Sequence, residues 1–292
     1  MIPGHEIKKK HIWHLVIGKY RRHRNQQTLS SVARETAISL PDDSPILAIF
    51  KSAAVKLNDR QDRHERLVKL SRDITIESKR IIFLLHSAIT KETCEKAVSE
   101  AITRLQKLAK GPIKSIGLEL ENIPSYLHWR AVTPGFQEYV EARTLCSLMQ
   151  TQNIITFQEM QDELTYKIEN EENEKERSVI TMLTQNDYML GIADLTGELM
   201  RRAINSIASG DSEECFNCCQ NVRDLYTGYL GVTGCSRDLM RKLTTTRRNV
   251  EKVEAAVYAL RVRGGEAPPA LLAAAPPSWD AASAHSDDEG FF

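Results

Sequence analysis

Two pairs of acidic residues have the spacing needed to bind a divalent cation from the side of a helix. Glu138 and Glu141 lie three positions apart, and Asp194 and Glu198 lie four apart. Side chains at these spacings share one face of an α-helix. Carboxylate oxygens are the ligands that Mg²⁺ and Mn²⁺ prefer in proteins. Two such helices facing each other would therefore provide a site for Mg²⁺ or Mn²⁺.

The surroundings of the first pair favour this interpretation. On a helical wheel Glu138 and Glu141 flank Leu145, and Leu148 and Met149 lie on the same side. Burying two neighbouring carboxylates among apolar residues is costly unless a cation compensates their charge. The first pair therefore predicts a buried, charged site.

The second pair is open to two interpretations. Asp194 and Glu198 share their helical stripe with the polar residues Asp187, Arg201, Arg202 and Asn205. This pattern also fits a solvated face with ion pairs such as Glu198 to Arg202. Gly191 and Gly197 lie in the same predicted helix, where each is less favourable than alanine. Such glycines often mark the close approach of another backbone.

Other site chemistries have weaker support. His64, His86 and His128 have no evident partner pattern for acid–base catalysis. A di-iron bundle would need Glu-x-x-His pairs on two helices. Cys215, Cys218 and Cys219 form a C-x-x-C-C cluster that suggests zinc. A structural zinc site needs four ligands, so the alternative is three packed thiols on one helix face.

Composition divides the 292-residue chain into three regions. Residues 1–43 are basic and poorly patterned, residues 44–266 are predicted to form a helical domain, and residues 267–292 form an Ala/Pro-rich acidic tail predicted to be disordered. The net charge is zero, so any nucleic-acid contact requires a local basic patch. We expect no transmembrane helix and no secretory signal, and therefore reduced cysteines.

Apolar periodicity and capping residues predict helices through the middle region. The predicted helices run from Pro45 to about Leu85, from Thr90 to Lys110, from Ile123 to Thr151, from Asp187 to Ser209 and from Ser236 to Arg263. Two further helices are expected to begin at Thr156, whose capping partner is Glu159, and at Asp211. Residues 169–177 are expected to form a solvated loop, and no alternating strand pattern is evident. The predicted class is an all-α bundle with flexible ends.

Four stretches resemble the translin family and, within it, the translin-associated factor X group. They are residues 63–86, 135–142, 187–201 and 252–264. The resemblance extends over about residues 44 to 266 and implies a translin-like seven-helix bundle that assembles with translin into a hetero-octamer. It also implies a Mg²⁺-dependent (or Mn²⁺-dependent) endoribonuclease that acts on single-stranded RNA, with single-stranded DNA as a further ligand. The implied roles are passenger-strand removal in RNA interference and RNA processing, in the cytoplasm and nucleus.

The acidic catalytic and metal-binding residues of that family correspond here to Glu138, Glu141, Asp194 and Glu198. The resemblance thus selects the two pairs that helical spacing indicates. The expected chemistry is hydrolysis of a phosphodiester by an activated water, which leaves a 5′-phosphate and a 3′-hydroxyl. The alternatives are a non-catalytic adaptor that binds translin and a subunit that binds single-stranded nucleic acid without cutting it.

Two features of the sequence affect this expectation. Arg201 and Arg202 are candidates to bind the RNA backbone, with surface ion pairing as the alternative. Pro134 lies one turn before Glu138, where the family pattern has a threonine, and it predicts a kink or a fresh helix start after Thr133. The basic clusters at residues 8–10 and 21–24 correspond to a nuclear signal or to a solvated segment.

Overall fold

The computed structural model describes residues 45–88, 90–169, 176–232, 234 and 236–263. The chain divides into two compact units, one ending at Glu65 and the other beginning at Arg66. The predicted basic region 1–43 and the predicted acidic tail 267–292 lie outside the described residues.

Helices make up most of the described chain. Their bounds are α1 (Pro45–Ser87), α2 (Lys91–Leu108), α3 (Lys114–Glu119), α4 (Trp129–Thr151), α5 (Phe157–Glu163), α6 (Gln185–Ser209), α7 (Ser212–Leu230) and α8 (Arg237–Arg263). A π-helical segment, Ala109–Ile113, joins α2 to α3. With that interrupted helix counted as one, the described residues contain seven α-helices. The predicted all-α, seven-helix class is confirmed.

The predicted capping residues begin the helices where the sequence indicates. The Thr90 and Thr156 side chains each form a capping box with the residue three positions later. Asp211 accepts a hydrogen bond from the backbone of Glu214 at the start of α7. Gly210 ends α6 with φ of 83°, a left-handed conformation that glycine adopts without steric cost.

Helix α4 differs from its prediction in two ways. It begins at Trp129 rather than near Ile123, because Asn122 adopts a left-handed conformation and residues 125–127 form a short 3₁₀ turn. Pro134 lies inside α4, so the predicted fresh start after Thr133 is wrong. In the second turn, a proline removes only one internal hydrogen bond. The next amide, that of Gly135, donates to Ser71 Oγ of α1 at 3.0 Å.

A two-stranded antiparallel sheet flanks the predicted loop and overlaps it at residues 169, 176 and 177, while residues 170–175 lie outside the described residues. Strands β1 (Thr165–Glu169) and β2 (Glu176–Ile180) pair with Tyr166 opposite Val179. Each strand has only five residues, and the segment as a whole is acidic. The few β-branched and aromatic residues that favour strands are therefore difficult to recognise in the sequence. The expectation that the chain has no strand is therefore wrong.

Helices α4 and α6 cross at the point that positions the two acidic pairs. A Cβ atom on Gly191 would lie 2.6 Å from Val140 Cβ and 2.8 Å from the carbonyl oxygen of Gln137. The predicted close approach at Gly191 is confirmed. At Gly197 it is wrong, because the nearest atom, Asn249 Nδ2, would be at 3.7 Å, an ordinary contact. No helix in the described parts of the chain is long and apolar enough to span a membrane.

The Gly191→Ala variant is expected to destabilise the fold by about 1–3 kcal/mol, because α4 must shift away from α6 to admit the new methyl group. Gly197→Ala is the matched control in the same helix and should be neutral or stabilising by up to about 1 kcal/mol. Urea unfolding of both variants measures the difference. Equal stability of the two variants would show that the two helices do not pack closely at Gly191.

Candidate active site

A cavity of about 740 Å³ lies between helices α1, α4 and α6. Glu138 and Glu141 reach it from α4, and Glu198 reaches it from α6. Asp194 does not line the cavity, but its charge acts on Glu141. The structure therefore brings the two predicted pairs together, with three of the four carboxylates lining the cavity.

Glu141 is the most unusual of these acids. It is only 8% exposed, and no described residue donates a hydrogen bond to its carboxylate. Burial raises its pKa to about 9, and the charges of Asp194, Glu138 and Glu198 contribute to that rise. A carboxylate that is largely buried and has no hydrogen-bond donor is costly to ionise. Ionised Glu141 therefore favours a positive charge beside it.

Glu138 lies closer to the cavity mouth. Its Oε1 is 3.2 Å from Lys79 Nζ of α1, whose side chain is largely exposed. Burial raises the pKa of Glu138, and the Lys79 ammonium opposes that shift. The Lys79 ammonium is thus a counter-ion that water readily reaches.

Asp194 is held by a polar network that connects three helices. Lys242 of α8 forms an ion pair with Asp194 and donates to Gln137 Oε1 at 3.1 Å. Gln137 in turn donates to Asp187 Oδ1 at 3.1 Å, and Asp187 also accepts from Thr184 Oγ1 at 2.8 Å. Burial raises the pKa of Asp194, while Lys242 opposes the shift. The network therefore fixes the position of Asp194.

Glu198 has two basic neighbours. Its Oε2 lies 2.6 Å from His86 Nε2 of α1 and 3.0 Å from Arg201 Nη1. Glu198 and Asp187 are both buried, so the solvated-face interpretation is wrong at these two positions, while Arg201 and Asn205 are exposed as it predicts. A helical wheel places Asp187 on the exposed face because the residue is polar. In the fold its carboxylate is buried, and hydrogen bonds from Gln137 and Thr184 satisfy its oxygens.

The two arginines predicted to bind RNA differ in their surroundings. Arg201 lines the cavity and its side chain is 59% exposed. Arg202 is mostly buried and forms an ion pair with Glu214 of α7, with Met149 Sδ 3.6 Å from its Nη1. The structure favours the ion-pair alternative for Arg202, but its partner is Glu214 and not Glu198. Arg201 remains a candidate for contact with a phosphate.

The carboxylates fit a hard divalent cation by their chemistry, because oxygen ligands of this kind are the ones that Mg²⁺ and Mn²⁺ select. Within the described residues, no three His, Cys, Asp or Glu side chains are already arranged as a metal-binding cluster. Basic groups hold three of the four acids, namely Lys79 on Glu138, Lys242 on Asp194, and His86 with Arg201 on Glu198. A cation would be held by Glu141 together with the acids released from these partners.

Sequence reasoning missed three residues at this site: Lys79, His86 and Lys242. Lys79, Phe83 and His86 line the cavity at the spacing of one helix face, which was a usable signal. Lys242 had no signal of this kind, because it is far from the acids in sequence.

The cysteine cluster lies away from the carboxylates. Cys215, Cys218 and Cys219 are all buried on one face of α7. Burial raises the pKa of Cys215 to about 11 and also raises that of the other two thiols. These groups are therefore neutral, packed side chains, as the alternative interpretation predicts.

The fold and the site define a helical-bundle protein with a cavity lined by carboxylates. The chain belongs to the translin family, whose match covers residues 62–264. It is 39% identical over 265 residues to translin-associated protein X of Mus musculus, a match that covers 86% of this chain and 91% of the mouse protein. It is 27% identical over 137 residues to translin of Gallus gallus, covering 47% of this chain and 56% of that protein.

Solved structures confirm the translin-like fold. The crystal structure of apo-NeC3PO superposes with a TM-score of 0.53 at 22% identity, covering 73% of this chain and 96% of that one. The structure of an AfC3PO–duplex RNA complex superposes with a TM-score of 0.54 at 20% identity and the same coverage.

Proposed function

We propose that this chain is the catalytic subunit of a translin-containing endoribonuclease that uses Mg²⁺ or Mn²⁺ to cut single-stranded RNA. The observation that carries the proposal is Glu141, a buried carboxylate without a donor among the described residues, at a cavity with three other acids nearby. A buried carboxylate of this kind does not stabilise the fold, because burying a neutral residue of similar size costs less free energy.

The carboxylates have distinct roles in this proposal. Glu141 would supply a negative charge at the base of the site once a cation displaces its proton, and Asp194 is oriented by Lys242 and Gln137. Glu138 and Glu198 complete the ligand set from the two sides of the α4–α6 crossing. When bound there, a divalent cation makes water a nucleophile near neutral pH and offsets charge on the phosphate oxygens.

The basic residues at the mouth bind the substrate. Lys79 and Arg201 have side chains that are 65% and 59% exposed, and each already contacts a carboxylate of the site. Both side chains are long enough to exchange a carboxylate for an RNA phosphate while they remain at the cavity. Exposed Phe83 on the same wall offers a ring face to a base.

The relatives support the assembly and the ligand. The chain resembles both translin-associated protein X, a name that describes association with translin, and translin itself. A protein with the same fold has been solved as a duplex RNA complex. We extend these properties to this chain as a subunit that assembles with translin into a hetero-octamer and binds single-stranded RNA and also single-stranded DNA. It works in the cytoplasm and nucleus, in passenger-strand removal and RNA processing.

Cleavage of a labelled single-stranded RNA by this chain co-purified with translin tests the proposal. We expect cutting with Mg²⁺ or Mn²⁺, little with Ca²⁺, and none with chelator. The products should carry 5′-phosphate and 3′-hydroxyl ends. Cyclic phosphate ends, or unchanged cutting in chelator, would contradict the carboxylate–metal mechanism.

A non-catalytic role is the second candidate, either as an adaptor for translin or as a subunit that only binds single-stranded nucleic acid. It is favoured by the basic partners of Glu138, Asp194 and Glu198, which already neutralise much of the site. In that case the complex would form and bind RNA, and the RNA would remain intact at every Mg²⁺ concentration.

A further inference from the structure

A second cavity, of about 590 Å³, lies on a different face of α4 from the carboxylates, between α2, α4 and β1. Its volume is in the range of sites for small organic ligands. None of the four candidate catalytic acids lines it. The cavity is therefore separate from the proposed active site.

The charged residues that line this cavity are mostly basic. Four basic side chains line it and only one acidic side chain, Glu163, does so; the basic residues are Lys110, Lys114, Arg143 and Lys167. Arg143 binds Glu163 through two hydrogen bonds, at 2.7 and 3.1 Å, so the single carboxylate is already neutralised. Lys110 and Lys114 thus give the cavity a positive field, which attracts an anionic ligand.

A buried tyrosine also lines this cavity. Tyr139 is only 1% exposed, and no described residue forms a hydrogen bond with its hydroxyl group. Burial raises the pKa of Tyr139, so the group remains a neutral donor. A buried tyrosine usually has a hydrogen-bond partner for its hydroxyl. Because Tyr139 and the lysines line the same cavity, an anion held by the lysines can accept this hydrogen bond.

The remaining walls favour a ligand larger than a simple anion. Ile102, Leu105 and Ala109 form an apolar wall. The Tyr166 hydroxyl donates to Ala109 O at 2.7 Å, which holds the ring in place, and Lys114 Nζ lies 5.8 Å from the centre of that ring. A flat heterocycle fits an aromatic and apolar wall, while a phosphate fits the lysines and the tyrosine hydroxyl.

We propose that this cavity binds a nucleoside monophosphate unit, with its phosphate held by Lys110, Lys114 and the Tyr139 hydroxyl. The unit comes either from a free nucleotide or from the 5′-phosphorylated end of an RNA. These two sources share the same chemistry and differ only at the 3′ oxygen, which carries a hydrogen in the free nucleotide and the next phosphate in the RNA.

Calorimetric titration of the full chain with AMP, in chelator, tests the site without a contribution from the carboxylate cavity. Wild type should bind AMP more tightly than inorganic phosphate. Tyr139→Phe removes only the hydroxyl and should weaken AMP binding about tenfold, and Lys114→Gln should weaken it at least as much. Lys107→Gln, an exposed lysine of α2 that does not line the cavity, is the matched control and should bind as wild type does.

The source of the unit is resolved by a second titration with a 5′-phosphorylated tetranucleotide. Tighter binding than AMP identifies an RNA end, and equal or weaker binding identifies a free nucleotide. Thermal unfolding without ligand checks that the variants are folded. The proposal is overturned if AMP does not bind to wild type at millimolar concentration, if phosphate binds equally well, or if the three variants lose affinity equally.

Discussion

Glu141→Gln is expected to abolish RNA cleavage and, in metal-free buffer, to make the folded chain more stable. Glutamine has nearly the same size and shape as a protonated glutamate, so the packing of α4 is preserved. The variant loses the negative charge that holds a cation, and we expect at least about a hundredfold loss of cleavage rate. It also loses the cost of a buried carboxylate beside Asp194, Glu138 and Glu198.

The gain in stability from this variant should depend on pH. In the unfolded chain Glu141 loses its proton near its ordinary pKa of 4.5, whereas in the folded chain it keeps the proton up to about pH 9. The wild type therefore loses folding free energy as pH rises between these values, by at most about 1.4 kcal/mol per pH unit. Glutamine does not titrate, so the advantage of the variant grows across the same range.

Thermal unfolding of both proteins between pH 5 and 9, in chelator, measures this effect. Glu92→Gln, an exposed glutamate paired with Lys96, is the control and should change neither cleavage nor the pH dependence. A Glu141→Gln protein that is less stable than wild type at pH 8 would mean that Glu141 has a structural partner. Failure of that protein to assemble with translin would point the same way.

Asp194→Asn is expected to cause a loss of cleavage as large as that of Glu141→Gln, with little change in stability. Two effects on stability oppose each other, because Lys242 loses an ionic partner while a partly buried charge is removed. Lys242 keeps its hydrogen bonds to Gln137 Oε1 and Leu190 O, so its ammonium group stays in place. Glu138→Gln should also abolish cleavage, since it removes a carboxylate from the same cavity.

The combination of Asp194→Asn with Glu141→Gln distinguishes a shared site from two separate effects. Residues that act as a unit in catalysis are strongly non-additive, so the double variant should cleave no more slowly than either single variant. Asp238→Asn, an exposed acid of α8 paired with Arg241, is the control and should leave the rate unchanged. Multiplicative losses in the double variant would show that the two acids do not serve one site.

Local signals in the sequence predict much of this fold. The capping residues Thr90, Thr156 and Asp211 begin their helices because a side-chain oxygen satisfies a backbone amide only a few residues away. Helical spacing likewise predicts that Glu138 and Glu141 share a face. Such contacts are short in sequence, so no knowledge of the fold is needed to recognise them.

The features that could not be predicted from the sequence depend on contacts between segments that are distant in the chain. The partners of the acids come from α1 and α8, and nothing near Asp194 indicates that Lys242 will neutralise it. Asp187 resembles a surface residue in the sequence because its partner Gln137 comes from a different helix. The hairpin of β1 and β2 is missed for a related reason, since a five-residue strand is stabilised by its partner more than by its own composition.

Binding of Mn²⁺ to the purified complex tests the central claim most directly, because it reports the carboxylate site without requiring the correct RNA. Free Mn²⁺ is measured by electron paramagnetic resonance as the metal is added to complexes that contain wild type, Glu141→Gln or Glu92→Gln. We predict that wild type and Glu92→Gln remove Mn²⁺ from solution equally, and that Glu141→Gln loses this binding. Identical binding curves for all three complexes would contradict the assignment of Glu141 and its neighbours as the cation site.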